Sequence, residues 1–241
     1  MKTNLIKSQL LTCSAAVFSL LPLFVQADDT EIYTGIAERD APNVIFVMDT
    51  SGSMSWANDG SSNPPDGESR LEQVQEAAID TINNTDGINI ALMQFDRTSN
   101  YNGGFVDMAM TPVAEARSTF ETKMNSYYGS GGTPLTESLD EAIRYLRGDA
   151  VKYGRRSTYY GDAAARDGSS YKSPISHQCQ KNHIVLFSDG EPSRDQSSNS
   201  SIKTAYNALS TEQKNIINTD VENCGDSSGS CAEELALLAN M

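Results

Sequence analysis

The chain alternates continuous apolar runs of strand length with segments whose apolar residues recur at helical spacing. "NVIFVM" (43–48) is apolar almost throughout, the pattern of a strand covered on both faces. From Ser69, "SRLEQVQEAAIDTINN" places Leu71, Val74, Ala78 and Ile82 on one helical face, and Ser69 with Glu72 forms a capping-box pattern at its start. "INIALMQF" (88–95) reads as a second buried strand, and "GFVDMAM" (104–110) as a third whose alternation suits a sheet edge. Thr111 and Pro112 then open a helix with Val113, Ala116, Phe120 and Met124 inward. "GSGGTPLTESLDEAIRYLRG" (129–148) passes from a glycine-rich loop into another helix: Thr133 before Pro134 marks its start, and Leu135, Leu139, Ala142 and Leu146 form its expected buried stripe. "HIVLFSDGEP" (183–192) is a further apolar strand that runs into an aspartate. Strands and helices in alternation predict an α/β fold built on a doubly wound, mostly parallel open sheet.

Two segments break this rhythm. Residues 148–181 have no clear period and are rich in Tyr, Gly, Ser and charge, which predicts a surface insertion with its own role. "WANDGSSNPPDGE" (56–68) is a shorter insertion ahead of the first helix. Residues 28–42 are polar and acidic, a leader into a domain spanning 43–241. Residues 1–27 carry Lys2 and Lys7, then "LLTCSAAVFSLLPLFV", then "VQA", with no acidic residue, which reads as a cleavable secretory signal. That stretch is short for a spanning helix, and no later segment is apolar enough to cross a membrane, so the mature chain is expected in the periplasm or at the cell surface.

Charge and cysteine usage narrow the partners. The net charge is −14, and removing the signal takes away two lysines and no acid, so nucleic acid is disfavoured as a partner. The mature cysteines are Cys179, Cys224 and Cys231, an odd number for an oxidising compartment. One pair is expected. Cys224 with Cys231 would close a small loop, a pairing through Cys179 stays open, and the leftover thiol points to a partner cysteine that this sequence lacks.

In an open α/β sheet, ligands bind beyond the carboxyl ends of the strands where the winding reverses, between the first and fourth strands of the order 3-2-1-4-5-6. Asp49 ends the first strand here and Asp189 the fourth, while the glycine-rich loop with Thr133 leads toward the same rim. Asp49, Ser51, Ser53, Thr133 and Asp189 therefore converge from three distant segments. Two carboxylates and three hydroxyls, with no imidazole or thiolate, make a hard oxygen site suited to Mg²⁺, with Mn²⁺ or Ca²⁺ as alternatives, and unsuited to zinc. Gly52 permits the tight turn that aims alternate residues at one centre. A polar turn or helix cap accounts for "DTSGS" alone. A hydrolase reading fails, because "SGSMS" is not G-x-S-x-G and neither histidine is placed as a base, so no enzyme is expected. Asp195 is expected to be a solvated loop residue, Arg147-Gly148-Asp149 a helix end, and His177 and His183 ordinary polar positions. Trp56 with Tyr153, Tyr159, Tyr160 and Tyr171 forms either an adhesive aromatic rim or packing beneath a long loop.

"DTSGSMS", "GGTPL" and "SDGEP", in this order and on these elements, resemble the three loops of the metal-ion-dependent adhesion site of von Willebrand factor A domains. The resemblance implies direct coordination by Ser51 and Ser53, with Thr133 joining in the ligand-competent state and Asp49 and Asp189 acting largely through waters. It implies a protein partner that offers a carboxylate as the last metal ligand. The secretion signal, "DDTEIYTGIAERDAPNVIFVMDTSGSM" and "YKSPISHQCQKNHIVLFSDGEP" further resemble the N-terminal part of PilY-type proteins, the tip-associated adhesins and assembly factors of bacterial type IV pili. That implies a secreted adhesion module at a pilus tip, or near minor pilins. The alternatives are an assembly or load-sensing component that touches no external surface, and a periplasmic A domain unrelated to pili. A domains have two more strands after "SDGEP" and PilY-type proteins continue into a β-propeller, whereas "CAEELALLANM" stops inside an apparent helix, so the domain is expected to be incomplete at its C-terminus.

Overall fold

A computed structural model describes residues 40–97, 103–153, 161–190, 192–193, 195–217, 224 and 231–239. The expected secretory signal, most of the leader, Tyr159 and Tyr160 lie outside the described residues. Strands β1 (Asn43–Met48), β2 (Asn89–Phe95), β3 (Gly104–Pro112) and β6 (Asn182–Phe187) form one sheet in the order β3-β2-β1-β6. β1 pairs parallel with both β2 and β6, and β3 runs antiparallel along the edge of β2. This is the mostly parallel sheet the apolar runs predict: the alternating run lies at one edge, the runs at 43–48 and 88–95 lie in the middle, and the continuous run of β6 is partly buried at the other edge of the described sheet.

Helices cover both faces. α1 (Arg70–Asn83) and α2 (Val113–Met124) lie on one side, where Phe46 and Met48 of β1 meet Leu71, Ala78, Ile82, Ala116 and Phe120. The Phe46 and Phe120 rings meet edge to face at 5.5 Å. Ile45 and Val47 of the same strand point the other way, into a second core with Ala142 and Tyr145 of α3 (Leu135–Arg147). That split is the period-two alternation of a strand buried on both faces. α1 starts where its capping box says it should: Glu72 N donates to Ser69 Oγ, and Ser69 N donates to the Glu72 carboxylate.

α3 departs from its expected stripe. Of the four residues Leu135, Leu139, Ala142 and Leu146, only Ala142 is fully buried; the leucines are half-buried, while Glu137, Ser138, Asp140 and Glu141 are enclosed. The helix is packed on more than one side, so its polar face is covered too. Ile143 and Leu139 meet Ile202 of α4 (Asn199–Asn207), Leu235 of α6 (Ala232–Ala239), and Cys224 and Cys231. A further helix, α5 (Thr211–Ile217), lies between α4 and α6 in the chain.

The long insertion is not a free surface loop where it is described. Strands β4 (Arg166–Asp167) and β5 (Ser170–Tyr171) form a small hairpin, and Val151, Ala165 and Tyr171 enter the core against α3. Gly161 makes this approach possible: at φ +63° a Cβ there would stand 2.2 Å from Val106 O of β3. Tyr153 and Tyr171 are buried and belong to packing, whereas Trp56 is exposed. Gly148 sits at φ +74° as the C-cap of α3, so Arg147-Gly148-Asp149 is a helix end. Cys224 and Cys231 form a disulfide, and Cys179 is an exposed free thiol. No helix among the described residues is long and apolar enough to cross a membrane.

Phe120 is fully buried between α2 and β1. Phe120→Ala is expected to cost about 3–5 kcal/mol, read as a lower urea midpoint at unchanged slope.

Candidate metal centre

The site grows from the ends of β1 and β6. Met48 pairs with Phe187, and Asp49 N donates to Phe187 O at 2.9 Å, extending the parallel ladder one step past both strands. The chain after β1 folds at once into a 3₁₀ turn over Gly52–Ser55, whose Met54 is 1 % exposed and plugs the core on the α1 side. A single buried methionine thus fixes a loop that is otherwise serine and glycine. The turn faces its serines toward Asp189: Ser51 N donates to Asp49 Oδ1 at 2.7 Å, the Ser51 and Ser53 hydroxyls lie 3.1 Å apart, and Ser53 Oγ donates to Asp189 Oδ1 at 3.0 Å. Four of the five residues picked from the sequence form one hydrogen-bonded run.

Among the described residues no hydrogen bond joins Thr133 itself to the other four; its loop meets the serine turn through the backbone of Ser130 and Gly131. Gly52 N donates to Gly131 O and Ser130 N to Thr50 O, which lays the 129–133 loop against the serine turn. Gly129 is required for that approach, since a Cβ would stand 2.7 Å from Ser55 N and 2.9 Å from Ser51 O. On its other side Thr133 forms a bridge to Ser193, with Ser193 N donating to Thr133 O at 3.1 Å and Thr133 N to Ser193 Oγ at 3.0 Å.

The donor set fits a divalent cation. Asp49 is fully buried, and desolvation raises its pKa above the ordinary carboxylate value; hydrogen bonds from Ser51 and Ser188 act the other way, and the charge of Asp189 adds to the rise. A carboxylate stressed by burial and by a neighbouring carboxylate is relieved by a cation among them. Arg70, the first residue of α1, already meets part of that need with an ion pair to Asp189 Oδ2.

Sequence reasoning missed the supports of the site. Ser188 Oγ donates to Asp49 Oδ2 at 2.7 Å. Asp195, expected in solvent, is 4 % exposed and accepts from both Thr136 N and Thr136 Oγ1 at 2.6 Å. The reason is visible at the helix start. Pro134 supplies no side-chain cap to α3, so Asp195 caps that N-terminus from 59 residues away, where a negative charge is favoured. No local pattern encodes such a cap; the missing cap at Pro134 was the available signal.

Glu137 lies behind it. Its Oε1 accepts from Ser197 N and Ser198 N, while Oε2 accepts no hydrogen bond among the described residues. Burial, and then the adjacent Asp195 carboxylate, push its pKa up to about 8. Protonated, the Glu137 carboxyl can donate to Asp195.

Residues 44–191, more than half of the chain, match the family model of the von Willebrand factor type A domain. No curated protein matches the sequence. Among solved structures, the PilB minor pilin from Streptococcus sanguinis aligns at 20 % identity and TM-score 0.45, over 64 % of this chain and 31 % of that one. The pilus adhesin SpaC from Lactobacillus rhamnosus GG aligns at 16 % identity and TM-score 0.40, over 64 % of this chain and 16 % of that one. The type V pili tip protein Mfa5 from Porphyromonas gingivalis aligns at 19 % identity and TM-score 0.35, over 62 % and 20 %. The chain thus spans about a third or less of the length of these structures.

A carboxyl whose folded pKa is raised contributes stability that is complete below its unfolded value, near 4.5, and is lost as pH climbs toward 8. Glu137→Gln, which can still donate to Asp195, is expected to remove a decline of about 2–4 kcal/mol over that window. Urea unfolding at pH 5, 6.5 and 8 reads the difference.

Proposed function

The chain belongs to the von Willebrand factor type A domain family, and on that footing we propose that it is an exported, metal-dependent adhesion module that grips an acidic side chain of a protein partner. The observation that carries this reading is the hydrogen-bonded run from Asp49 through Ser51 and Ser53 to Asp189, with the Thr133 loop laid against it. Ser51, Ser53 and Thr133 would hold the ion through neutral oxygens, with Asp49 and Asp189 supplying charge behind them. Mg²⁺ is the first choice, with Mn²⁺ or Ca²⁺ accommodated by the same oxygens. An ion held largely by neutral ligands supplies a Lewis-acidic position that a partner's carboxylate can fill. The rest is preorganisation: Met54 anchors the serine turn, Ser188 orients Asp49, and Ser193 holds the threonine loop. Placement at a type IV pilus tip rests on the sequence likeness of residues 28–54 and 171–192 to PilY-type proteins, and export on the signal-like pattern of residues 1–27.

Asp49→Asn keeps the acceptor for Ser51 N and removes the buried charge. It is expected to weaken Mg²⁺ binding by calorimetry on the order of 10–100-fold and to abolish divalent-dependent adhesion, at unchanged circular dichroism. Wild-type metal affinity in this variant would rule the site out.

A further inference from the structure

Arg70 stands where helix electrostatics disfavours it, as a cation in the first turn of α1, beside the positive end of the helix dipole. Its backbone is fixed: Arg70 N donates to Trp56 O at 2.9 Å, and the Ser69–Glu72 capping box holds the helix start. Its guanidinium is fixed at one corner by Asp189 Oδ2, while Asp189 Oδ1 accepts from Ser53. Among the described residues no other side-chain partner of Arg70 is found, so most of its five donors are uncommitted. The Arg70 side chain is 24 % exposed and lines an open cleft of about 440 Å³ together with Asn58, Gln73 and Asp189. Free guanidinium donors therefore open to solvent beside Asp189, one of the residues proposed to hold the metal.

Charge counting gives these donors a role. Asp49 and Asp189 carry two negative charges, which a divalent ion would neutralise; Arg70 leaves the loaded site with one net positive charge. One external carboxylate restores neutrality, and a guanidinium beside a metal can take the second oxygen of the carboxylate whose first oxygen meets the ion.

We propose that Arg70 is a specificity-determining second anchor, which repels the ion when it binds alone and clasps the partner's carboxylate when both are present. This inference rests on the metal-dependent adhesion reading and deepens it. The partner group is an acidic side chain presented at a protein surface, bridging the metal and Arg70. Ion and carboxylate then bind with positive coupling, and the coupling is reciprocal.

The test uses the chain with Mn²⁺ as the ion and acetate as the carboxylate, with free Mn²⁺ followed by electron paramagnetic resonance. In the parent chain, acetate is expected to raise apparent Mn²⁺ affinity severalfold. In Arg70→Gln, Mn²⁺ alone should bind about three- to tenfold more tightly, because a +1 charge next to the ion is gone, and the acetate enhancement should fall close to one. An enhancement equal to the parent's in Arg70→Gln, or none in the parent, overturns the proposal. If Arg70→Gln does not unfold cooperatively, Arg70→Lys decides: an enhancement at least halved supports the anchor, and an unchanged one refutes it. Failure of the parent chain to take up Mn²⁺ at all would defeat the metal reading itself, and this inference with it.

Discussion

The parallel pairing of β1 with β6 is the constraint on which the rest of the structure depends. In a parallel pair both strands finish at the same edge, so the segments leaving them emerge side by side. The register Met48↔Phe187, continued by Asp49 N to Phe187 O, brings Asp49 level with Ser188 and puts Asp189 within reach of the serine turn. A slip of one residue would turn every side chain of β6 to the opposite face and break the bond from Ser188 to Asp49. The antiparallel strand β3 takes no part in this meeting; it closes the sheet edge and receives the insertion through Asp162, whose Oδ2 accepts from Ala109 N.

A second theme is the containment of negative charge. The chain carries 32 acidic residues against 18 basic ones, and several of those acids are buried around α3. Each has donors. Asp140 takes Arg144 Nε and Lys152 Nζ at 3.1 Å, and Glu141 takes the backbone N–H groups of Lys152 and Tyr153 together with the Tyr171 hydroxyl. Burying a charge costs several kcal/mol unless it is paired and hydrogen-bonded. The acids of α3 therefore draw the insertion and the segment after Asp189 onto one helix.

Much of this is legible in the residues alone. The continuous runs at 43–48 and 88–95 are the central strands, and the inward set Val113, Ala116, Phe120 and Met124 is the buried face of α2. The capping box at Ser69 opens α1. Asp49, Ser51, Ser53 and Asp189 could be grouped because strand ends are predictable and sheet topology is restricted. The errors share one cause. The leucine stripe on α3 and the solvated placement of Asp195 both assumed that a helix hides one face and a polar loop residue faces water. α3 is enclosed on its polar side, and its cap comes from a loop far along the chain. Arg70 was passed over because a lone cation in a helix's first turn has meaning only once Asp189 is beside it.

Local periodicity and caps, set by backbone geometry and side-chain chemistry over a few residues, determined by themselves the α/β class, the positions of β1, β2, β3, β6 and of helices α1 to α3, and the oxygen-rich character of the site. Tertiary structure alone decided which acids are buried, that Cys224 pairs with Cys231, and that the insertion folds onto α3. It alone joined Arg70 to Asp189 across 119 residues. Those outcomes depend on desolvation and on through-space charge, which are properties of the assembled interior and have no period along the chain.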